Sequence, residues 1–147
     1  MDTVRALKQV FIFKDVPDQV LELVAGVTEE ISLSTGETFI SPGDRPNALY
    51  VIRSGTVRAV PEGGKAPPVM FGTGETLGEI ALIDGGPFAG SATAVERVDL
   101  LVIRAGKLAG ALTDRPEAAV QLYRAIAKSL AGRLRRAIGM ISLSKDR

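Results

Sequence analysis

Gly78 and Glu79, followed by Ser91 and Ala92, are the residues of this chain best suited to holding a phosphate-bearing ligand. A phosphate in a pocket needs backbone N–H groups aimed at it, and short helix starts and glycine-containing turns supply them. Gly78 lets the backbone approach closely. The N–H groups near Ile80 and Ala81 lie where a short helix would begin. Ser91 can donate its hydroxyl and its N–H, and Gly90 before it favours a backbone nest over a side-chain contact. Glu79 adds a carboxylate acceptor, for which a plain helix-capping role is the alternative. Covalent chemistry has little to work with. Cysteine and histidine are both absent, which excludes disulfides, thiolate nucleophiles, the common zinc sites and Ser-His-Asp triads. No acidic pair stands in a suitable setting for carboxylate catalysis. A non-enzymatic protein with no metal and no cofactor is expected.

The segment from residue 77 to 93, LGEIALIDGGPFAGSAT, sits inside a run of short strands. Ahead of that run, Val4, Leu7, Val10 and Phe11 suit one face of a short helix. A second helix is expected from Pro17, capped by Asp15, with Val20, Leu21, Leu23 and Val24 facing a core and the signal fading near Gly26. Between Ile31 and Ile103 the pattern is strand and turn. Ile31 and Leu33 alternate with serines, and Thr38–Ile40 precede the turn Ser41-Pro42-Gly43-Asp44. Ala48–Ile52 and Val57–Val60 flank Ser54-Gly55, and Glu62-Gly63-Gly64-Lys65 makes a hairpin turn before Val69–Phe71. Val98–Ile103 forms a buried strand. Many short strands at this spacing predict a barrel or sandwich. Helix returns at Lys107–Leu112, and a long helix starts with Pro116 in its first position.

These fragments, in this order, resemble the cyclic nucleotide-binding domain family, the effector module of catabolite activator-type regulators. Gly78-Glu79-Ile80-Ala81-Leu82 and Ser91-Ala92 resemble its phosphate-binding cassette. Family-like wording also appears in Ser41-Pro42-Gly43-Asp44, in Ala48–Val57, and in Ala92-Thr93-Ala94 leading to Leu100–Ile103. The resemblance implies a mainly β fold with flanking helices: a jelly-roll β-barrel plus a long C-terminal helix. It implies one domain over residues 1–147, divided into N-terminal helices (1–30), the barrel (31–103, with the cassette at 77–93) and C-terminal helices (104–147). It gives Glu79 the role of accepting a ribose 2′-hydroxyl, and it places Ala59 and Phe71 on the wall against the base, where plain barrel core is the alternative. The family's cassette carries an arginine directly before the Ser-Ala pair, but Gly90 stands there, with Phe88 and Ala89 lengthening the turn after Pro87. Cassette phosphate recognition is therefore degenerate, and Arg45, Arg53 and Arg97 are the candidates to supply the charge from elsewhere. Helix hydroxyls that reach the purine in some relatives are matched here by Ala137 and Ile138.

Tyr123, Ala127, Leu130, Leu134, Ala137 and Ile141 follow a heptad spacing on the long helix. That seam can pair two copies in a homodimer, with Val120, Leu122 and Ile126 facing the barrel, or pack on the chain's own barrel. Net charge is +1, unevenly spread: from Arg124 onward seven basic residues face the single acid Asp146, whereas residues 1–123 hold 11 basic and 16 acidic groups. Such asymmetry marks an acidic partner, nucleic acid, a membrane surface or a solvated helix face. With one aromatic residue on the final helix, a nucleic-acid partner is not expected. About six residues follow Ile141, too few for a DNA-reading module, so a stand-alone module is expected. No apolar run approaches the roughly 20 residues of a membrane span, and the N-terminus has no signal-peptide pattern; a cytoplasmic location is expected. Together these readings predict a regulatory module that senses cyclic AMP, cyclic GMP or another cyclic nucleotide and signals in trans to a separate effector protein through its C-terminal helix. The alternative is a ligand-free module for protein interaction and dimerisation.

Overall fold

The computed structural model describes residues 2–63 and 65–145. Met1, Gly64 within the expected hairpin turn, and the final Asp146 and Arg147 lie outside them.

Among the described residues, eight strands and five helices follow one another in the expected order. The strands are β1 (Thr28–Leu33), β2 (Thr38–Ile40), β3 (Ala48–Ser54), β4 (Val57–Pro61), β5 (Val69–Phe71), β6 (Thr76–Leu77), β7 (Gly90–Ala94) and β8 (Val98–Arg104). The helices are α1 (Asp2–Lys8), α2 (Asp18–Gly26), α3 (Glu79–Asp84), α4 (Ala105–Leu112) and α5 (Pro116–Lys145), with a single 3-10 turn at Phe11–Phe13. All strand pairs are antiparallel. They form two four-stranded sheets, ordered β1-β8-β3-β6 and β2-β7-β4-β5. The expected barrel is thus corrected to two facing open sheets. Each sheet ends in edge strands, and the ladder does not run from one sheet to the other.

Successive side chains of a strand point to opposite faces, and this explains the apolar runs in β3 and β8. Leu49, Val51, Leu101 and Ile103 join a core with Leu7, Phe13, Leu21, Leu108, Leu122 and Ile126 of the helical layer. Tyr50, Ile52, Leu100 and Val102 point the other way, into a second core with Ile40, Val57, Ala92 and Ala94 of the opposite sheet. At β3 and β8 the first sheet is therefore the middle of three layers, buried on both faces. Ser32 and Ser54 hydroxyls both donate to the Asp99 carboxylate, at 2.7 and 3.1 Å. These bonds hold the Asp99 carboxyl below the usual carboxylate range and pin β1 and β3 to β8.

Three helical expectations change. Phe11 does not share a buried face with Leu7 and Val10: α1 stops at Lys8, and the 3-10 turn leaves Phe11 66% exposed. Asp15 makes no cap, because Pro17 itself occupies the N-cap position of α2. On α5 the buried stripe is Ala118, Leu122 and Ile126, while Val120 is 63% exposed. Tyr123 and Leu130 pack against the helical-side core, and Leu134 and Ile141 are exposed. Among the described residues no helix is long and apolar enough to cross a membrane.

Candidate functional site

Gly78 ends β6 and starts α3 in a left-handed conformation, φ 91°. Any side chain there would place its Cβ 2.5 Å from the Ala48 carbonyl oxygen. Only glycine combines that φ with that approach, so the sequence Leu77-Gly78-Glu79 forces the chain to turn from sheet into helix at this point. The turn leaves the N–H groups of Glu79, Ile80 and Ala81 as the orphan donors of the helix start, since the Leu82 N–H is the first to bond back, to Gly78 at 2.9 Å.

Glu79 is the buried acid among the described residues, 5% exposed. Its Oε1 accepts a hydrogen bond from the Thr76 hydroxyl. Its Oε2 accepts one from Arg133 Nη1 at 2.9 Å, and the other arm of that guanidinium donates to Thr76 Oγ1 at 3.4 Å. A buried carboxylate needs such partners, because an unpaired charge out of water is costly. Arg133 comes from α5, 54 residues along the chain from Glu79, so the ion pair ties the long helix to the cassette. Arg133 is not among the site residues expected from the sequence. A signal was available: it stands seven residues after Ile126, on the continuation of the buried stripe of α5, where a solvated arginine is out of place.

These groups border a cavity of about 390 Å³ between the second sheet, α3 and α5. Of the expected site residues, Ala59, Phe71, Gly78, Glu79, Ile80 and Ala81 line it. Gly90, Ser91 and Ala92 do not; they belong to β7, where Gly90 and Ala92 are buried and pair with Pro61 and Ala59 of β4. The residues that border the cavity from the turn before β7 are Pro87, Phe88 and Ala89. Residue 90 is therefore not where an arginine side chain is missing. A Cβ on Gly90 would lie 2.1 Å from the Val60 carbonyl oxygen.

Among the described residues, Arg133 is the one cation on the cavity lining. Arg53 pairs with Glu30, Arg97 lies 3.6 Å from Asp99, and Arg45 donates to the Gly85 carbonyl at 3.2 Å, so none of the three expected arginines reaches it. The cassette turn is held from outside, with the Phe88 N–H donating to the Asp44 carbonyl at 2.9 Å and the Gly86 N–H to Asp84 at 2.8 Å. The result is a mostly apolar cleft with one buried carboxylate, one guanidinium and a few outward N–H groups. Its volume falls in the range of small-molecule sites, roughly 300–1,000 Å³. Its polar groups can orient hydroxyl and anionic groups. Among the described residues no three His, Cys, Asp or Glu side chains gather as a metal site.

A facing pair of antiparallel sheets, a buried acid at a glycine-started short helix and a long helix reaching back to that acid define a jelly-roll sandwich with a cleft of small-molecule size. The chain belongs to the cyclic nucleotide-binding domain family, whose model matches residues 30–115 and so includes the whole cassette. It is 29% identical over 122 residues to a CRP-like cAMP-activated global transcriptional regulator of Mycobacterium tuberculosis, covering 81% of this chain and 54% of that protein. The chain therefore spans about half the length of that relative. Among solved structures, the N-terminal domain of a transcriptional regulator from Streptomyces coelicolor A3(2) is 30% identical with a TM-score of 0.75, covering 87% of this chain and 94% of that one. The regulatory domain of Toxoplasma gondii PKA, solved with cAMP, is 26% identical with a TM-score of 0.65, covering 76% and 44%.

Proposed function

We propose that this chain is a regulatory module that binds a cyclic nucleotide, or a related phosphate-bearing nucleotide, in the cavity beside Glu79 and passes occupancy to a separate effector through α5. The observation that carries the reading is the Glu79–Arg133 pair. An acid kept buried on a cavity wall by a residue from the signalling helix is costly to maintain for stability alone. Its carboxylate retains lone pairs for a ribose 2′-hydroxyl. Arg133 neutralises it, so that an incoming phosphate does not meet an isolated negative charge. With no arginine side chain in the cassette, the phosphate is left to backbone N–H groups and Arg133, which predicts weakened phosphate recognition.

Calorimetry with cyclic AMP, cyclic GMP and 2′-deoxy cyclic AMP tests this. Cyclic AMP is expected to bind about one to two orders of magnitude more tightly than its 2′-deoxy analogue, since a hydrogen bond to a charged group contributes about 1.5–3 kcal/mol and 1.4 kcal/mol is tenfold. Glu79→Gln is expected to erase that preference. An absence of heat with all three ligands at millimolar concentration sinks the reading. A ligand-free interaction module is then the surviving function, and the apolar Pro87-Phe88-Ala89 turn at the cavity mouth is what favours it.

The same proposal includes a homodimer. Leu134, Ile138 and Ile141 are 62%, 55% and 59% exposed on the second half of α5, beyond the half that covers the core. Leu134 and Ile141 belong to the heptad seam, and a second copy of the helix is its natural cover. Leu134→Glu is expected to convert a dimer to a monomer in sedimentation velocity, with the melting temperature of the sandwich little changed. A monomeric wild type at high micromolar concentration rules the seam out.

A further inference from the structure

Where α5 packs on the 3-10 turn there is a second cavity of about 440 Å³, separate from the nucleotide cleft, lined by Phe11, Lys14, Asp15, Gln121, Arg124 and Lys128 among others. Its composition is unusual for this chain. The turn puts Ile12 and Phe13 into the helical-side core, at 4% and 1% exposure, and leaves the Phe11 ring 66% exposed. Every other Phe and Tyr is buried or half-buried. The Lys14 ammonium stands 5.1 Å from the Phe11 ring centroid. Lys14, Arg124 and Lys128 enter no ion pair among the described residues, and Asp15 is the lone acid on the described lining. Along α5, Val120, Arg124, Lys128 and Arg135 recur at four- and seven-residue spacing, all exposed, so one helix face continues the cationic rim away from the cavity.

We propose that this face docks an acidic linear segment of a partner protein, with one large apolar side chain seated against Phe11 and carboxylates running along Lys14, Arg124 and Lys128. A single exposed aromatic anchor ringed by charge is how small interfaces concentrate their affinity and set their specificity. Charge decides the partner's sign: three unpaired cations against one acid reject a basic segment and attract an acidic one. The number of aromatics decides its class. Single-stranded nucleic acid draws its affinity from successive bases stacked on successive aromatic rings, and here there is one ring. The proposal does not depend on nucleotide binding, because none of these residues lines the nucleotide cleft.

Peptide-phage selection on the immobilised full chain tests it, with the variant Phe11→Ser/Arg124→Glu/Lys128→Glu as counter-target. The selected peptides are expected to be rich in Asp and Glu around one Trp, Phe or Leu. Synthetic copies are expected to bind the wild type at least tenfold more tightly than the variant in fluorescence anisotropy, and to weaken as salt rises. All three positions are at the surface, so the variant is expected to melt like the wild type; if it does not, Lys14→Glu alone replaces it. Failure to enrich peptides over the counter-target overturns the proposal, as does enrichment of peptides without acidic residues. Tight, salt-sensitive binding of a labelled single-stranded DNA 20-mer that displaces the peptide overturns it in favour of a nucleic-acid face.

Discussion

Phe88→Arg is expected to tighten cyclic AMP binding by about one to two orders of magnitude, whereas Gly90→Arg is expected to destroy the fold before it can bind anything. Both place the family's cassette cation within two residues of the same spot in sequence. The structure separates them. Phe88 lies in the turn that borders the cavity, with its backbone fixed by the hydrogen bond to Asp44, so a guanidinium there can lie beside the N–H groups of α3. A charge-assisted and often bidentate contact to phosphate contributes about 1.5–3 kcal/mol. Loss of the half-buried phenyl ring costs about 1 kcal/mol of stability. At residue 90 the first atom of any side chain meets backbone: the Val60 carbonyl oxygen at 2.1 Å, its carbon at 3.0 Å and the Pro61 Cα at 3.1 Å. No rotamer relieves a Cβ clash, and β4 cannot retreat without breaking its pairing with β7. Gly90→Ala alone is therefore expected to cost about 3 kcal/mol, the upper end of overpacking effects. Thermal melts of the Ala and Arg variants at residue 90 and calorimetry on Phe88→Arg check the pair. A wild-type melting curve for Gly90→Ala refutes the steric argument, and an unchanged Kd for Phe88→Arg refutes the geometric one.

The strands that were easiest to read were those with the heaviest burial. β3 and β8 are apolar on both faces because they run through the middle layer, and a short uninterrupted Val/Ile/Leu run between turn signals marks a strand covered on both sides. Edge closure leaves no such mark. Whether two curled sheets join into a barrel depends on hydrogen bonds between edge strands such as β2 and β6, which are three and two residues long, and nothing in Thr38–Ile40 or Thr76–Leu77 distinguishes the outcomes. β7, GSATA, has the composition of a loop; its strand character comes from β2 on one side and β4 on the other. Phe11 departs from the expected helix face for a local reason. A helix period carried past Lys8 puts it beside Leu7, but the tighter 3-10 turn rotates each residue further and sends the ring outward. In the site, Gly78 and Glu79 were legible because a glycine that must adopt φ > 0 and a carboxylate at a helix start are local features. Arg133 was not, since its significance is a contact across the fold. One of three arginines between residues 133 and 136 points inward, and helical phase relative to Leu122 and Ile126 is the only sequence feature that singles it out.

That phase makes Arg133→Ala the most revealing single change in the molecule. The Glu79 side chain is 6% exposed and that of Arg133 40%, so truncating Arg133 leaves a buried carboxylate with the Thr76 hydroxyl and no counter-charge. Removing one partner of a fully buried pair costs about 3–5 kcal/mol; the half-open guanidinium side lowers the expected loss here to about 1–2 kcal/mol. The effect on ligand is expected to be larger. Without Arg133 the phosphate of cyclic AMP approaches an uncompensated acid, and binding is expected to weaken about tenfold to a hundredfold by calorimetry. Arg133→Lys keeps the charge but not the two-armed geometry, and is expected to recover part of the affinity. The double variant Glu79→Gln/Arg133→Ala is expected to bind better than Arg133→Ala alone, because the repulsive charge has gone with its partner, a coupling that a mutant cycle reads directly. Hydrogen exchange separates binding from signalling. In the wild type, cyclic AMP is expected to change protection along the second half of α5. In Arg133→Ala at saturating ligand, protection is expected to change around α3 and not along α5. Equal responses of α5 in the two proteins would mean that the helix learns of the ligand by another route, and that the Glu79–Arg133 pair serves the fold rather than the signal.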